Sequence, residues 1–142
     1  MRWMVLVLFW VWPGMASADG VLPGPIPADV VRVVDGDTVA VLARIWPGQT
    51  VETHVRLAGI DTPELRGSGC PAERALAEAA RDRLEGLLGA GPVYLRDVAL
   101  GTFAGRVVAR IETPAGVDVA GPLVTDGLAR VYDGGHRAAW CE

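Results

Sequence analysis

The chain opens with an apolar stretch, Trp3 to Trp12, and only later settles into patterned segments. From residue 29, "DVVRVVDGDTVAVLARI" sets two β-branched runs around "DGDT", and Asp-Gly between such runs predicts a hairpin. Trp46-Pro47-Gly48-Gln49 is turn chemistry, and "TVETHVRLAGI" reads as the returning strand. In it Val51, Thr53, Val55 and Leu57 alternate with Glu52, His54 and Arg56, so Arg56 belongs to the side opposite Val55 and Leu57. Pro71 then opens "PAERALAEAARDRLEGLLGAG", where Ala72, Leu76, Ala80, Leu84, Leu87 and Leu88 recur at helical spacing and Gly89 follows the last leucine. Strands are predicted over 93–100 and 105–113, and a short helix over about 119–126, with Pro122 tolerated near its start. "GLARVY" then leads into a polar tail ending "HRAAWCE". Three strands, a helix, two strands and a helix predict a mainly β, α+β fold. It is a five-stranded Greek-key barrel of the OB-fold type, with a helix inserted after strand three and a C-terminal helix.

Length and composition place this pattern in one domain. The chain has 142 residues and is 51% hydrophobic, enough for a real core. Part of that content belongs to residues 1–18, which carry Arg2, the apolar stretch and a small-residue end, Ala16-Ser17-Ala18. This is the layout of a cleaved secretory signal peptide, and the apolar run falls short of the roughly 20 residues a membrane anchor needs. The Pro- and Gly-rich residues 19–28 read as an exposed lead-in, and 29–142 as the folded domain. The expectation is an exported protein, periplasmic or secreted, monomeric, with no stable membrane association after cleavage.

Charge narrows the partners. Thirteen basic residues, all arginine, face 17 acids, and loss of residues 1–18 takes the net charge from −4 to −5. Such a chain exerts no general pull on nucleic acid, so any polyanion must be met by local arginines or a bound cation. Cys70 and Cys141 are expected as one disulfide tying the tail to the segment after "DTPEL", the alternatives being a metal site or two free thiols.

The chemistry-bearing residues fall in three places. "DGDT" contains Asp37, an acid beyond what the Asp35-Gly36 turn requires. "VRLAGIDTPEL" puts Arg56, Asp61 and Glu64 around Thr62-Pro63, and Pro63 keeps Thr62 out of helical geometry, leaving its carbonyl free. If the two central strands pair antiparallel, Asp37, Asp61, Thr62, Arg56 and Glu64 share one rim. An all-oxygen donor set suits a hard cation, and calcium (Ca2+) accepts loose geometry and backbone carbonyls more readily than magnesium. Arg106, after Gly105, is the third piece, and Arg56 with Arg106 could clamp a phosphate through the planar guanidinium fork. Each segment alone also reads as an ordinary turn, an acidic loop or a surface arginine. His54 and His136 read as surface residues, and Trp140 as packing for the tail.

In order and approximate spacing, "VVDGDTVAV", "VRLAGIDTPEL", "GRVVARI" and "LVTDGLARV" resemble the staphylococcal nuclease-like (thermonuclease) family over about residues 30–132. The resemblance implies an OB-fold barrel with a calcium-dependent phosphodiesterase site acting on DNA or RNA. By motif, Asp37 and Asp61 would be metal carboxylates, Thr62 a carbonyl ligand, Glu64 the general base or water-positioning group, and Arg56 and Arg106 the phosphate clamp. Asp35 would be a nearby acid of lesser importance. The chain departs from the family at Thr102-Phe103-Ala104, where an acid and a tyrosine commonly precede Gly-Arg, and at Asp133, where an aromatic is expected. Those departures imply a weaker grip on substrate. They keep a second reading open, a non-catalytic OB-fold module that binds nucleic acid or another polyanion.

Overall fold

The computed structural model describes residues 20–142; the expected signal peptide, residues 1–18, lies outside them. Strands β1 (Ile26–Asp35), β2 (Thr38–Trp46) and β3 (Gln49–Leu57) form an antiparallel meander. After a two-residue strand β4 (Ile60–Asp61) comes helix α1 (Pro71–Leu88). Strands β5 (Pro92–Leu100) and β6 (Arg106–Glu112), helix α2 (Ala120–Thr125) and strand β7 (Arg130–Val131) complete the order. The barrel closes in the order β1-β2-β3-β6-β5, so no edge of the five-stranded sheet stays open. The architecture is α+β, with one helix after the third strand and one near the C-terminus, as the sequence pattern predicts.

Alternation builds the interior. Val39, Val41, Val55, Leu57, Val93, Leu95, Ala109 and Ile111 are all at most 1% exposed, and Leu84, Leu88 and Leu123 close the barrel from the helices. Three details differ from the sequence reading. First, β1 begins at Ile26, inside the expected lead-in, because Ile26 to Asp29 pair with Leu95 to Pro92 and Ala28 is buried between its neighbours. Second, the two residues turning β1 into β2 are Gly36 and Asp37, so Asp37 sits in the turn itself.

Third, α1 is rotated from the expected stripe. Ala72 and Leu76 face outward, while Glu73, Ala77, Ala80, Leu84 and Leu88 are buried. Both lines have helical spacing. The small side chains win the inner line because the β1–β2 turn passes close by. A Cβ placed on Gly36 would lie 2.7 Å from Ala80 Cβ and 3.1 Å from Thr62 Cβ. The first turn of the helix faces the acidic loop rather than the barrel, which explains the buried Glu73.

The pairing of β4 with β7 was invisible in the periodicity because each strand has two residues. It sets Ile60 opposite Val131 and Asp61 opposite Arg130, and Tyr132 N–H then donates to the Gly59 carbonyl at 2.9 Å. The C-terminal tail is thereby delivered to the rim that carries Asp61. Cys70 and Cys141 form a disulfide across 71 residues of sequence, fixing the far end of that tail beside the start of α1.

Candidate functional site

The register of the β2–β3 hairpin assembles the site. Thr38 lies opposite Arg56, and Leu57 N–H donates to the Asp37 carbonyl at 2.8 Å. Arg56 alternates to the face opposite Val55 and Leu57, yet it is also buried, its side chain only 10% exposed. Its Nη2 lies 3.1 Å from Asp37 Oδ2 and 3.4 Å from Asp61 Oδ1, and its Nη1 donates to the Leu57 carbonyl. Asp37 and Asp61 are 12% and 8% exposed at their side chains, so two buried carboxylates share one buried guanidinium.

The carboxylate surroundings are asymmetric. Thr38 Oγ1 donates to Asp37 Oδ1 at 2.9 Å, and Asp37 N–H donates to Asp35 Oδ1 at 3.2 Å in a local side-chain turn. Burial pushes the Asp37 carboxyl up to about 6. Arg56 opposes the shift, the Asp35 charge adds to it, and the Thr38 hydroxyl opposes it. Burial thus outweighs the adjacent arginine, so the charged form of Asp37 is short of compensation. Two buried carboxylates in an all-oxygen setting, with Thr62 buried alongside, fit a hard divalent cation.

Glu64 lies at the open side of the cluster, with 54% of its side chain exposed. Its backbone N–H donates to Glu73 Oε1 at 3.2 Å, while Glu73 Oε2 accepts the Gly69 N–H at 2.6 Å. The buried glutamate of the first helical turn thus holds both ends of the loop 64–69. Sequence reasoning missed Glu73. The signal was present: an acid three residues after Cys70, the residue preceding the helix, resembles the acid half of a capping box.

Arg106 enters from β6. The β3–β6 pairing is parallel, with His54 beside Arg106 and Arg56 beside Val108, so Arg56 and Arg106 project from the same face of adjacent strands. Both line a pocket of about 440 Å³ together with Phe103, Tyr132, Asp133 and Arg137. Arg106 stacks on Phe103 at 4.7 Å, and its Nε is buried without a hydrogen-bond partner. A buried donor left unpaired costs free energy, so the pocket suits a ligand that accepts hydrogen bonds.

The second residue missed from sequence is Arg137. Its Nε lies 3.2 Å from Asp61 Oδ1 and its Nη1 3.0 Å from Glu64 Oε1. It also borders a smaller cavity of about 270 Å³ shared with Asp61, Thr62, Glu64 and Glu73. The expected disulfide was the available clue, since it returns the tail to the "DTPEL" loop. Trp140 packs the tail as expected, with Arg130 stacked on it at 3.7 Å. His54 and His136 make no contact with the acidic cluster among the described hydrogen bonds and ion pairs.

A family model described as staphylococcal nuclease homologue matches residues 54–139, more than half of the chain. The matched segment contains Arg56, Asp61, Thr62, Glu64, Arg106 and Arg137; Asp35 and Asp37 precede it. No curated protein matches the chain.

Proposed function

The chain belongs to the staphylococcal nuclease homologue family, and from that premise we propose that it is an exported, calcium-dependent nuclease hydrolysing phosphodiester bonds of DNA or RNA. The observation that carries this reading is the pair of buried carboxylates, Asp37 and Asp61, sharing the Arg56 guanidinium beside an arginine-lined pocket. Asp37, Asp61 and the Thr62 carbonyl would hold the cation. When bound, it would supply positive charge against the phosphoryl oxygens as hydrolysis builds negative charge there.

The chain's own groups divide the remaining work. Arg56 and Arg106 hold the phosphate by charge-assisted hydrogen bonds and stabilise the same developing charge. Arg56 can do so only from a fixed position, and its contacts to Asp37, Asp61 and the Leu57 carbonyl provide one. Glu64 is exposed enough to meet water, and its carboxylate aims a water or takes its proton. Asp35 acts at a distance, by holding the Asp37 backbone N–H and placing a second negative charge near the Asp37 carboxyl.

One observation favours a second reading, a module that binds nucleic acid or another polyanion without cleaving it. Glu64 Oε1 is engaged by Arg137, which ties up the group the reaction would need. Incubating the protein with single-stranded DNA and with RNA, in millimolar calcium or in chelator, separates the two. The nuclease reading expects calcium-dependent cleavage that falls about 10²–10³-fold in Glu64→Gln, by analogy with loss of one stabilising group. Binding with no cleavage of either polymer would leave the module.

A further inference from the structure

We propose that Arg137 is a third phosphate-binding arginine, carried to the site by the tethered tail and parked on Asp61 and Glu64 until a cation and substrate arrive. The inference rests on the nuclease reading for its substrate class and adds a residue to it.

Three observations converge on Arg137. It lines the pocket that holds Arg56 and Arg106, and it also borders the cavity of Asp61, Thr62 and Glu64, so one side chain spans the phosphate and carboxylate sides. Two guanidinium groups approach the Tyr132 ring, Arg56 at 5.7 Å and Arg137 at 5.6 Å from its centre, so both arginines converge on one aromatic side chain. Finally, the backbone around Arg137 is pinned although it has no regular structure. Tyr132 OH donates to the Gly135 carbonyl at 2.9 Å, Arg130 Nη1 to the Ala138 and Ala139 carbonyls at 3.4 and 3.0 Å, and Cys141 is bonded to Cys70.

The contacts Arg137 makes can open. Its side chain is 47% exposed and that of Glu64 54%, so their ion pair is screened by water and weak, while the Asp61 contact is the one a cation contests. Asp61 Oδ1 already serves Arg56 Nη2 and Arg137 Nε. A cation drawn to Asp61 repels the nearby guanidinium, and the adjacent arginine-lined pocket is the direction with an anion to meet. That exchange frees Glu64 for water, which reconciles the Glu64–Arg137 contact with a catalytic role for Glu64. It also places a further positive group in a net acidic chain whose 102–104 segment departs from the family pattern.

The test reads binding, not turnover. Affinity for a short single-stranded phosphorothioate DNA, which resists cleavage, is measured by fluorescence anisotropy in calcium across a salt series, for wild type, Arg137→Gln and Arg137→Lys; calcium binding is measured separately by calorimetry. The expected result for Arg137→Gln is about tenfold weaker DNA binding, the loss of one charge-assisted contact. Its slope of log affinity against log salt is shallower by about 0.7, the value for one phosphate contact on a single strand. Arg137→Lys restores the slope, because a point charge still releases a counterion, though not the full affinity. Calcium binds Arg137→Gln at least as tightly as wild type, because the competitor for Asp61 has gone. Unchanged affinity and slope in Arg137→Gln would overturn the proposal, as would a lost slope that lysine does not restore. Wild type that binds DNA but cleaves no unmodified DNA or RNA sinks the nuclease reading alone; wild type that binds neither DNA nor RNA sinks both.

Discussion

Arg56 Nη2 lies 3.1 Å from Asp37 Oδ2, a contact created by the hairpin register that sets Thr38 opposite Arg56. Both groups are largely buried, and Asp61 shares the same guanidinium. Removing one partner of such a buried cluster leaves charges without compensation, which typically costs about 3–5 kcal/mol. Arg56→Gln is therefore expected to lower the unfolding free energy by that order in denaturant titration. In calcium the loss should be smaller, because the cation takes over the two carboxylates. Equal loss in calcium and in chelator would argue against a cation at Asp37 and Asp61.

Asp37 predicts a pH dependence of the metal-free protein. Its carboxyl ordinarily titrates at 3.8 and is raised to about 6 here, chiefly by burial. A raised carboxyl binds its proton more tightly folded than unfolded. Its contribution to stability is complete below pH 3.8 and is lost as pH rises through about 6. Melting in chelator from pH 4 to 7 should show wild type losing ground to Asp37→Asn across that window. Added calcium should stabilise wild type more at pH 7 than at pH 5, since binding must displace the proton. A difference between wild type and Asp37→Asn that stays constant with pH would contradict the burial argument.

Gly36 packs against α1, and an added methyl would meet Ala80 Cβ at 2.7 Å. Because Ala80 is anchored on the helix backbone, the strain cannot be relieved by a rotamer change. Gly36→Ala should cost about 1–3 kcal/mol, the usual range for overpacking. The double variant Gly36→Ala/Ala80→Gly should recover part of it, measured by denaturant midpoint. No recovery would place the cost at Thr62, whose Cβ would lie 3.1 Å from the added methyl.

Glu73 acts through the Glu64 backbone. Glu73→Ala removes the acceptor of the part-buried Glu64 and Gly69 N–H bonds, with an expected cost of about 0.5–1.5 kcal/mol per hydrogen bond. In the nuclease reading it lowers kcat with little change in KM, because the loop carrying Glu64 loosens while the arginine pocket stays intact. Glu73→Gln retains one acceptor oxygen and should fall between. A rise in KM with kcat unchanged would assign Glu73 to substrate binding rather than to placing Glu64.

The disulfide offers a separate measurement. Cys70→Ser/Cys141→Ser should destabilise by about 2–5 kcal/mol, as loss of a native bridge in a small domain does. Calorimetric melting of the double variant beside the oxidised wild type reads this directly. An unchanged midpoint would mean the tail's other contacts, among them Arg130 on Trp140 and Arg137 on Asp61 and Glu64, suffice to hold it.

Much of the molecule follows from local pattern. Period-two alternation set which side of β3 carries Val55 and Leu57 and which carries Arg56, and turn residues marked where the meander reverses. From strand pairing alone, Asp37, Arg56 and Asp61 could be placed on one rim, because antiparallel neighbours bring the start of one strand to the end of the other. The barrel architecture was legible because five short strands with one inserted helix have few ways to close.

What the tertiary structure decided lies where local signals are ambiguous or absent. Two lines of α1 have equal helical spacing, and only the close approach of Gly36 to Ala80 selects the inner one. Two-residue strands carry no period, so the β4–β7 pairing that brings Tyr132 to Gly59 could not be read in advance. Arg137 stands 73 residues from Glu64, and nothing in the chemistry of an arginine in a polar tail distinguishes it from a solvated one. Its place is set by distant constraints acting together: the disulfide, the Arg130 contacts to the tail carbonyls, and the ring of Tyr132. Local sequence determined which residues could do chemistry; the folded chain decided which of them meet, because contacts across long separations depend on packing that no single segment encodes.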